Sequence, residues 1–344
     1  MSKLENLKFI QPEGTIAVLP SLIYMNEEPN FSISRDHYLG SLSLEDSIIA
    51  KRHYNIADEF ADEHVRLQRD GMLDAEAYLI FIAKFKSVQM LHLYRQHELF
   101  PEIFSNNVKK IVHRLTIDGL IQPWLYEHPT FQKPVKVFTL TGNGARYLDF
   151  LYSDQFKIMH PNNFFSLPEA FHIRFWEAAD IFQCLAGLEA YQAYSTYFRH
   201  DKLPTSPLQM SIMINGNVEK WIFYPTLVTD NTPFFKNILA RWNDFVKAGN
   251  DLNHDVNRLP GNKNVICLYA STMEMAAQLA KKLQLNSLNY PIVIFVGTAV
   301  MKNGVQNAFF RPAPNNSLAQ INLSSISKEF ETASRVQEGT NNDE

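Results

Sequence analysis

Helix and strand signals alternate closely in one stretch of the chain, from Asp74 to Leu151. Asp74 caps a predicted helix with apolar residues at helical spacing, and Ser87 is the expected start of a second, short helix. Ser105 caps a third predicted helix, which Gly119 ends. A chain with this order must pack short helices against one another and against whatever follows Gly119.

The third predicted helix is amphipathic. Four apolar side chains recur at i, i+3, i+4 and i+7 and define a buried face: Val108, Ile111, Val112 and Leu115. The outer face is left with polar side chains: Asn106, Asn107, Lys109, Lys110, His113 and Arg114. Several of these can donate hydrogen bonds to phosphates or to the edges of bases, so we expect this face to bind DNA.

Two strands are predicted next, Ile121 to Tyr126 and Val135 to Leu140, on either side of a polar loop. They form a hairpin with a wing, from which Lys133 and Lys136 are expected to contact the DNA backbone. A fourth helix is predicted from Ala145 to Leu151. A helix that follows a helix and a turn, and precedes such a hairpin, can enter the major groove of DNA.

Positive charge is concentrated in the same stretch. Between Ala77 and Asp149 there are nine Lys or Arg against five Asp or Glu, in a chain whose net charge is −4. A locally basic segment in a mildly acidic protein favours nucleic acid as its partner. The alternative is that these are the ordinary charges of a solvated helix face.

Beyond His160, predicted strands alternate with predicted helices, which favours an α/β sheet. A long helix is expected from Pro168 to Phe198, and the Asn215-Gly216-Asn217 run predicts a hairpin. The remaining predicted elements alternate in type: a helix from Pro233 to Val246, a strand from Val265 to Tyr269, a helix from Met273 to Leu285 and a strand from Pro291 to Val296. The fold class is therefore α/β locally and α+β for the whole chain.

Three runs carry a resemblance to known proteins: HRLTIDGLIQPW from His113, KVFTLT from Lys136 and GNGARYL from Gly142. They are similar to the winged-helix pattern in which R-L-x-x-x-G-L-I is followed by V-x-x-L-T-x-x-G. Phe171-His172-Ile173 then opens a long helix, and the strand-helix pair VICLYASTMEMAAQLAKKL comes later. In this order the chain resembles the replication-relaxation family of plasmid and integrative-element proteins, over roughly Asp74 to Val296.

The resemblance implies a winged helix-turn-helix domain at residues 74–152 and a small nuclease-like α/β domain at residues 160–330. An N-terminal arm with a helix (residues 1–73) and a disordered acidic tail (residues 331–344) are expected to flank them. The implied function is sequence-specific binding of double-stranded DNA, as an accessory factor in plasmid or mobile-element replication, relaxation or conjugative transfer. A relaxase or replication protein is an expected partner, and the alternative is a winged-helix transcription regulator whose α/β domain dimerises or senses a ligand.

A nuclease would need carboxylates spaced along a strand to hold Mg²⁺, and the expected strands lack them. Glu219 is adjacent to Lys220 at the predicted hairpin. His92 and His97 lie five residues apart without a partner at metal-ligand spacing. We therefore expect no catalytic residue, no metal and no cofactor.

Partner and compartment follow from weaker signals. Homodimerisation is the default expectation, with Tyr191, Tyr194 and Tyr197 on the long predicted helix as candidate contacts, although a buried aromatic stripe is the favoured interpretation for most of them. No apolar run is long enough for a bilayer, so no membrane association is expected. Cys184 and Cys267 lie in apolar segments, which suits buried thiols in a reducing cytoplasm.

Overall fold

The computed structural model describes residues 32–35, 74–127, 134–152, 169–188, 190–198, 200, 202–227, 230, 232–248, 259–288 and 290–321. The predicted arm helix, the tail and Lys133 lie outside these residues. The described chain mixes helices with two β-sheets and divides into two compact units. Among the described residues, the first unit covers 32–179 and the second covers 180–321, with the gaps given above. None of the helices within the described ranges is both long enough and apolar enough to span a bilayer.

The first unit consists of short helices on a four-stranded sheet. Its elements are β1 (Ser32–Arg35), α1 (Asp74–Phe85), β2 (Ser87–Gln89), α2 (Met90–Leu99), α3 (Val108–Ile117), β3 (Ile121–Glu127), β4 (Val135–Leu140), α4 (Gly142–Tyr152) and the first part of α5 (Glu169–Leu185). The strands are all antiparallel, in the order β1-β3-β4-β2. The predicted hairpin of β3 and β4 is confirmed, and β1 extends its outer edge.

The second helix starts later than predicted. Lys86 has a φ of 70°, which ends α1, and Ser87 then pairs with Thr139 of β4 instead of capping a helix. The helix α2 begins at Met90. The interpretation of Ser87 as a helix start was wrong because pairing with a strand that is distant in sequence decides its conformation.

The buried face of α3 is confirmed. Val108, Ile111, Val112 and Leu115 are all buried. The helix begins at Val108, so the predicted cap at Ser105 is wrong: Asn107 is the N-cap residue, and the hydroxyl of Ser105 accepts a hydrogen bond from the Asn107 amide at 3.2 Å.

A buried polar group ties the start of α5 to the sheet of the first unit. The Trp176 indole donates to Ser87 Oγ at 2.9 Å, and His172 Nδ1 lies 2.9 Å from the same oxygen. Trp176 also packs edge-on against the Tyr126 ring, with 4.9 Å between ring centroids. Burial lowers the pKa of His172 to about 4, so the imidazole is neutral here.

The second unit contains a seven-stranded sheet. Its elements are the rest of α5, β5 (Tyr191–Ser195), β6 (Leu208–Ile214), β7 (Asn217–Pro225), α6 (Thr232–Lys247), β8 (Lys263–Ala270), α7 (Met273–Leu283), β9 (Ile292–Val296), α8 (Gly297–Asn303), β10 (Phe309–Ala313) and β11 (Ser317–Gln320). Short 3-10 turns cover Leu285–Ser287, Val305–Asn307 and Pro314–Asn316.

Each strand of this sheet lies beside its neighbour in the sequence, with β5 at one edge and β11 at the other. β7, β8 and β9 are parallel, and the remaining neighbours are antiparallel. The predicted hairpin is confirmed, since Asn215 and Gly216 have φ values of 51° and 78°. The elements α8, β10 and β11 follow the last strand that the sequence predicted.

The long helix predicted from Pro168 to Phe198 is wrong in its second half. The helix α5 ends at Leu185, and Tyr191–Ser195 is a strand that pairs with β6. The ring of Tyr194 lies 4.3 Å from that of Phe182, so Tyr194 packs within the unit. The aromatic residues proposed as contacts on one helix therefore do not share a helix.

Candidate nucleic-acid interface

Five of the predicted DNA-binding residues are exposed at and before α3: Asn106, Asn107, Lys109, Lys110 and His113. Four of these, Asn106, Lys109, Lys110 and His113, are spaced i, i+3, i+4 and i+7, and we call them the α3 stripe. They lie opposite the buried apolar face of the helix. The helix α3 itself contains no acidic residue.

Arg114 does not belong to this surface. Its side chain is 22% exposed, and its Nε donates to Asp118 Oδ2 at 2.5 Å. Asp118 is fully buried, so the guanidinium is held against a carboxylate at the end of α3. The sequence places Arg114 on or near the outer face, and in the structure this partly exposed side chain is bound by an acid one turn further along the helix.

The structure describes one of the two predicted wing lysines. Lys136 is exposed on β4, opposite Leu125 of β3. Lys133 belongs to the loop outside the described residues. Arg146 on α4 and Ile103 before α3 are also exposed, and sequence reasoning named neither as a candidate. Arg146 could have been recognised from the sequence as a basic residue in a predicted helix. No sequence signal distinguishes Ile103.

The turn before α3, Phe100–Ser105, is fixed by hydrogen bonds, and we call it the pinned turn. The amides of Ile103 and Phe104 both donate to the Phe100 carbonyl, at 3.1 and 3.0 Å. His97 Nδ1 lies 2.6 Å from the Phe104 carbonyl oxygen. The phenol of Tyr78 donates to the Ser105 carbonyl at 2.6 Å.

The helix α1 provides the other supports of the pinned turn. The amide of Ser105 donates to Asp74 Oδ2 at 3.1 Å. The Tyr78 ring packs edge-on against Phe104, with 4.9 Å between centroids. Burial, and after it the charge of Asp74, raises the pKa of the Tyr78 phenol well above its usual value, so the phenol remains a donor. The start of α3 is thereby fixed relative to α1.

The hairpin is fixed relative to α3 at the other end of that helix. The hydroxyl of Thr141 donates to the Gly119 carbonyl at 2.6 Å and accepts from the Gly144 amide at 3.0 Å. A Cβ at Gly144 would lie 2.1 Å from the Leu120 carbonyl oxygen, so only glycine permits this approach. These contacts hold α3, the hairpin and α4 in one arrangement.

Carboxylate contacts also join α4 to α1. The phenols of Tyr147 and Tyr152 donate to the two oxygens of the buried Glu76 carboxylate, the second at 2.8 Å. Burial, with the Glu76 hydrogen bond and charge, raises the pKa of Tyr152 to about 12. The candidate interface therefore rests on a hydrogen-bonded frame.

Three neighbouring strands of the second unit each bury a polar side chain. Ser211, Lys220 and Asn264 are paired neighbours on β6, β7 and β8, and all three are buried; we call them the buried row. The hydroxyl of Ser211 donates to the Pro260 carbonyl at 2.6 Å. A Cβ at Gly261 would lie 2.8 Å from Lys220 Cγ, so the 260–261 loop directly covers the row.

No metal centre appears among the described residues, where no three His, Cys, Asp or Glu side chains are placed to hold an ion. Glu219, the acid at the β6–β7 hairpin, accepts a hydrogen bond from the Trp221 indole at 3.0 Å. Comparison of the whole chain with protein-family models, with curated proteins and with solved structures finds no match.

Proposed function

We propose that this chain binds double-stranded DNA through the α3 stripe and the β3–β4 hairpin, as a winged helix-turn-helix protein. The helix α2, the pinned turn and α3 supply the helix-turn-helix, and the hairpin supplies the wing. In this arrangement the second helix lies in the major groove, with residues near its N-terminus at the base edges.

The observation that carries the proposal is the composition of the α3 stripe. Lys109 and Lys110 provide two exposed cations for phosphates, and they lie between Asn106 and His113, whose side chains can hydrogen-bond to bases. The nearest acid of the helix terminus, Asp118, is buried against Arg114. The exposed side of α3 therefore attracts an anionic ligand.

The proposed biological role is that of an accessory factor in plasmid or mobile-element replication, relaxation or conjugative transfer. Its support is the resemblance of residues 113–148 to the winged-helix pattern and the order of segments after them. We assign the second unit, as a nuclease-like α/β body, to holding a relaxase, a replication protein or a second copy of the chain. We assign it no catalytic step, because its predicted strands lack the spaced carboxylates that would hold a divalent ion.

The test is the affinity for duplex DNA as a function of salt. Replacing Lys109, Lys110 and His113 together by Ala should weaken binding by roughly 2 to 5 kcal/mol, at about 1 to 3 per strong contact. The slope of log affinity against log salt should fall by about 2, since two lysines no longer displace counterions. Unchanged affinity and slope would contradict the proposal.

A matched control is available in the second unit. Lys281 and Lys282 are also adjacent, exposed lysines on a helix, α7. Their replacement by Ala should leave affinity and slope as in the unmodified protein. Footprinting of the bound DNA then tests the role: protection at a replication or transfer origin supports it, and protection confined to promoters supports a transcription regulator instead.

A further inference from the structure

The pinned turn exposes a large aliphatic side chain next to the α3 stripe. Ile103 is 52% exposed, more than any other large apolar side chain in the described part of the protein. The next residue, Phe104, is only 7% exposed and packs against Tyr78. Ile103 precedes Asn106, the first residue of the stripe, by three residues. An exposed apolar side chain therefore precedes the first polar side chain of the proposed interface by one turn of chain.

The exposure of Ile103 does not result from a lack of backbone hydrogen bonds in the turn. The amide of Ile103 is hydrogen-bonded to Phe100, and both backbone groups of Ser105 are bonded to side chains of α1. The backbone on either side of Ile103 is thus fixed, and its side chain is presented from a defined position. An aliphatic side chain in such a position can bind an apolar group without first losing backbone freedom.

Duplex DNA offers one apolar group in the major groove, the C5-methyl group of thymine. Side chains near the start of a recognition helix lie at the base edges. On this basis, and resting on the proposed function, we propose that Ile103 is a specificity-determining residue that contacts a thymine methyl group. The preferred DNA site of this protein therefore contains thymine beside the bases that the α3 stripe contacts.

The test compares two versions of one duplex. A site is first selected from a random duplex library with the full chain, and it is then synthesised with thymidine or with 2′-deoxyuridine, which lacks only the methyl group. The unmodified protein should bind the thymidine duplex about fourfold more tightly for each methyl group in contact. Single replacements of thymidine should locate the preference at one or two positions.

Variants of Ile103 assign the preference to this side chain. Ile103→Ala should bind both duplexes equally, whereas Ile103→Leu should retain the preference for thymidine. Phe150→Ala is the matched control, because Phe150 is a 45% exposed apolar residue on α4. This variant should keep the preference of the unmodified protein, and thermal unfolding of all three variants checks that they are folded.

The failure of this inference differs from the failure of the proposed function. If binding depends on Lys109 and Lys110 but thymidine and deoxyuridine duplexes bind equally, the role of Ile103 is wrong and the proposed function stands. A preference for thymidine that persists in Ile103→Ala would likewise contradict the role of Ile103 and leave the proposed function standing. If binding does not depend on the lysines, the proposed function is wrong and the role of Ile103 falls with it.

Discussion

Lysine and asparagine side chains that are exposed in the first unit have buried counterparts in the second. In the first unit, Lys109 and Lys110 stand exposed on α3, next to an exposed amide and an exposed imidazole. In the second unit, Lys220 lies between a buried hydroxyl and a buried amide, and Gly261 is in contact with its stem. The exposed lysines remain hydrated and can exchange water and counterions for a ligand, whereas the buried one has lost most of its water.

This difference separates groups that can bind a partner from groups that hold the fold together. Residue type does not distinguish them, since lysine and asparagine occur in both clusters. What distinguishes them is the cover: α3 presents its polar face outward, and the 260–261 loop closes over the buried row. Asp118 and His172 show that the first unit also contains buried polar groups.

The largest expected effect is that of Arg114→Ala on stability. The substitution removes the guanidinium that forms an ion pair with the buried Asp118 carboxylate, and the free energy of unfolding should fall by about 3 to 4 kcal/mol. Lys110→Ala, four residues earlier on the same helix, should change it by less than about 0.5 kcal/mol. Urea unfolding measures the free energy of unfolding of both variants. Equal values would contradict the prediction that the Arg114–Asp118 ion pair stabilises the fold.

Acid should destabilise the first unit through His172. Its pKa is about 4 in the folded chain against an ordinary value near 6.5, so the unfolded chain binds the proton more readily between these limits. Stability is therefore fully present above pH 6.5 and falls by about 3 kcal/mol as the pH drops towards 4. In His172→Asn, which keeps a polar atom near Nδ1, the loss of stability between pH 6.5 and 4 should disappear. If the free energy of unfolding of this variant depends on pH as in the unmodified protein, the prediction is wrong.

A smaller effect is expected where the buried row is covered. Gly261 has a φ of 136°, and an added Cβ would lie 2.8 Å from Lys220 Cγ. Gly261→Ala should therefore cost about 2 kcal/mol of unfolding free energy. Gly142→Ala is the control, because nothing lies within 4 Å of a Cβ there. Similar melting temperatures for the two variants would mean that the loop is not held tightly over Lys220.

Local patterns predicted those elements whose conformation local residues decide. The apolar spacing of α3, the strands of the β3–β4 hairpin and the Asn215-Gly216 turn are all set within a few residues. Ser87 and Tyr191 were assigned to helices because their strand partners, Thr139 and Ile212, are distant in the sequence. A strand of three or five residues carries too little periodicity to outweigh a helix signal.

The candidate site was predicted in part for the same reason. Helical periodicity places the α3 stripe outside, but it also placed Arg114 there, although Asp118 at i+4 is a recognisable partner in the sequence. Ile103 carries no signal of its own, because its exposure depends on contacts from Tyr78, Asp74 and His97 to the neighbouring residues. Such contacts join residues that no short pattern connects.

The strand β1 has a consequence for how the first unit folds. Ser32 of β1 is paired with Glu127 of β3, whereas the strand partners in the β3–β4 and β2–β4 pairs lie much nearer in the sequence. Closing so long a segment costs more chain entropy than forming the hairpin, so the hairpin should form first and β1 should be the last strand to join. Until it joins, β3 presents a bare edge to other chains, and a fragment starting at Asp74 would keep that edge permanently and tend to self-associate.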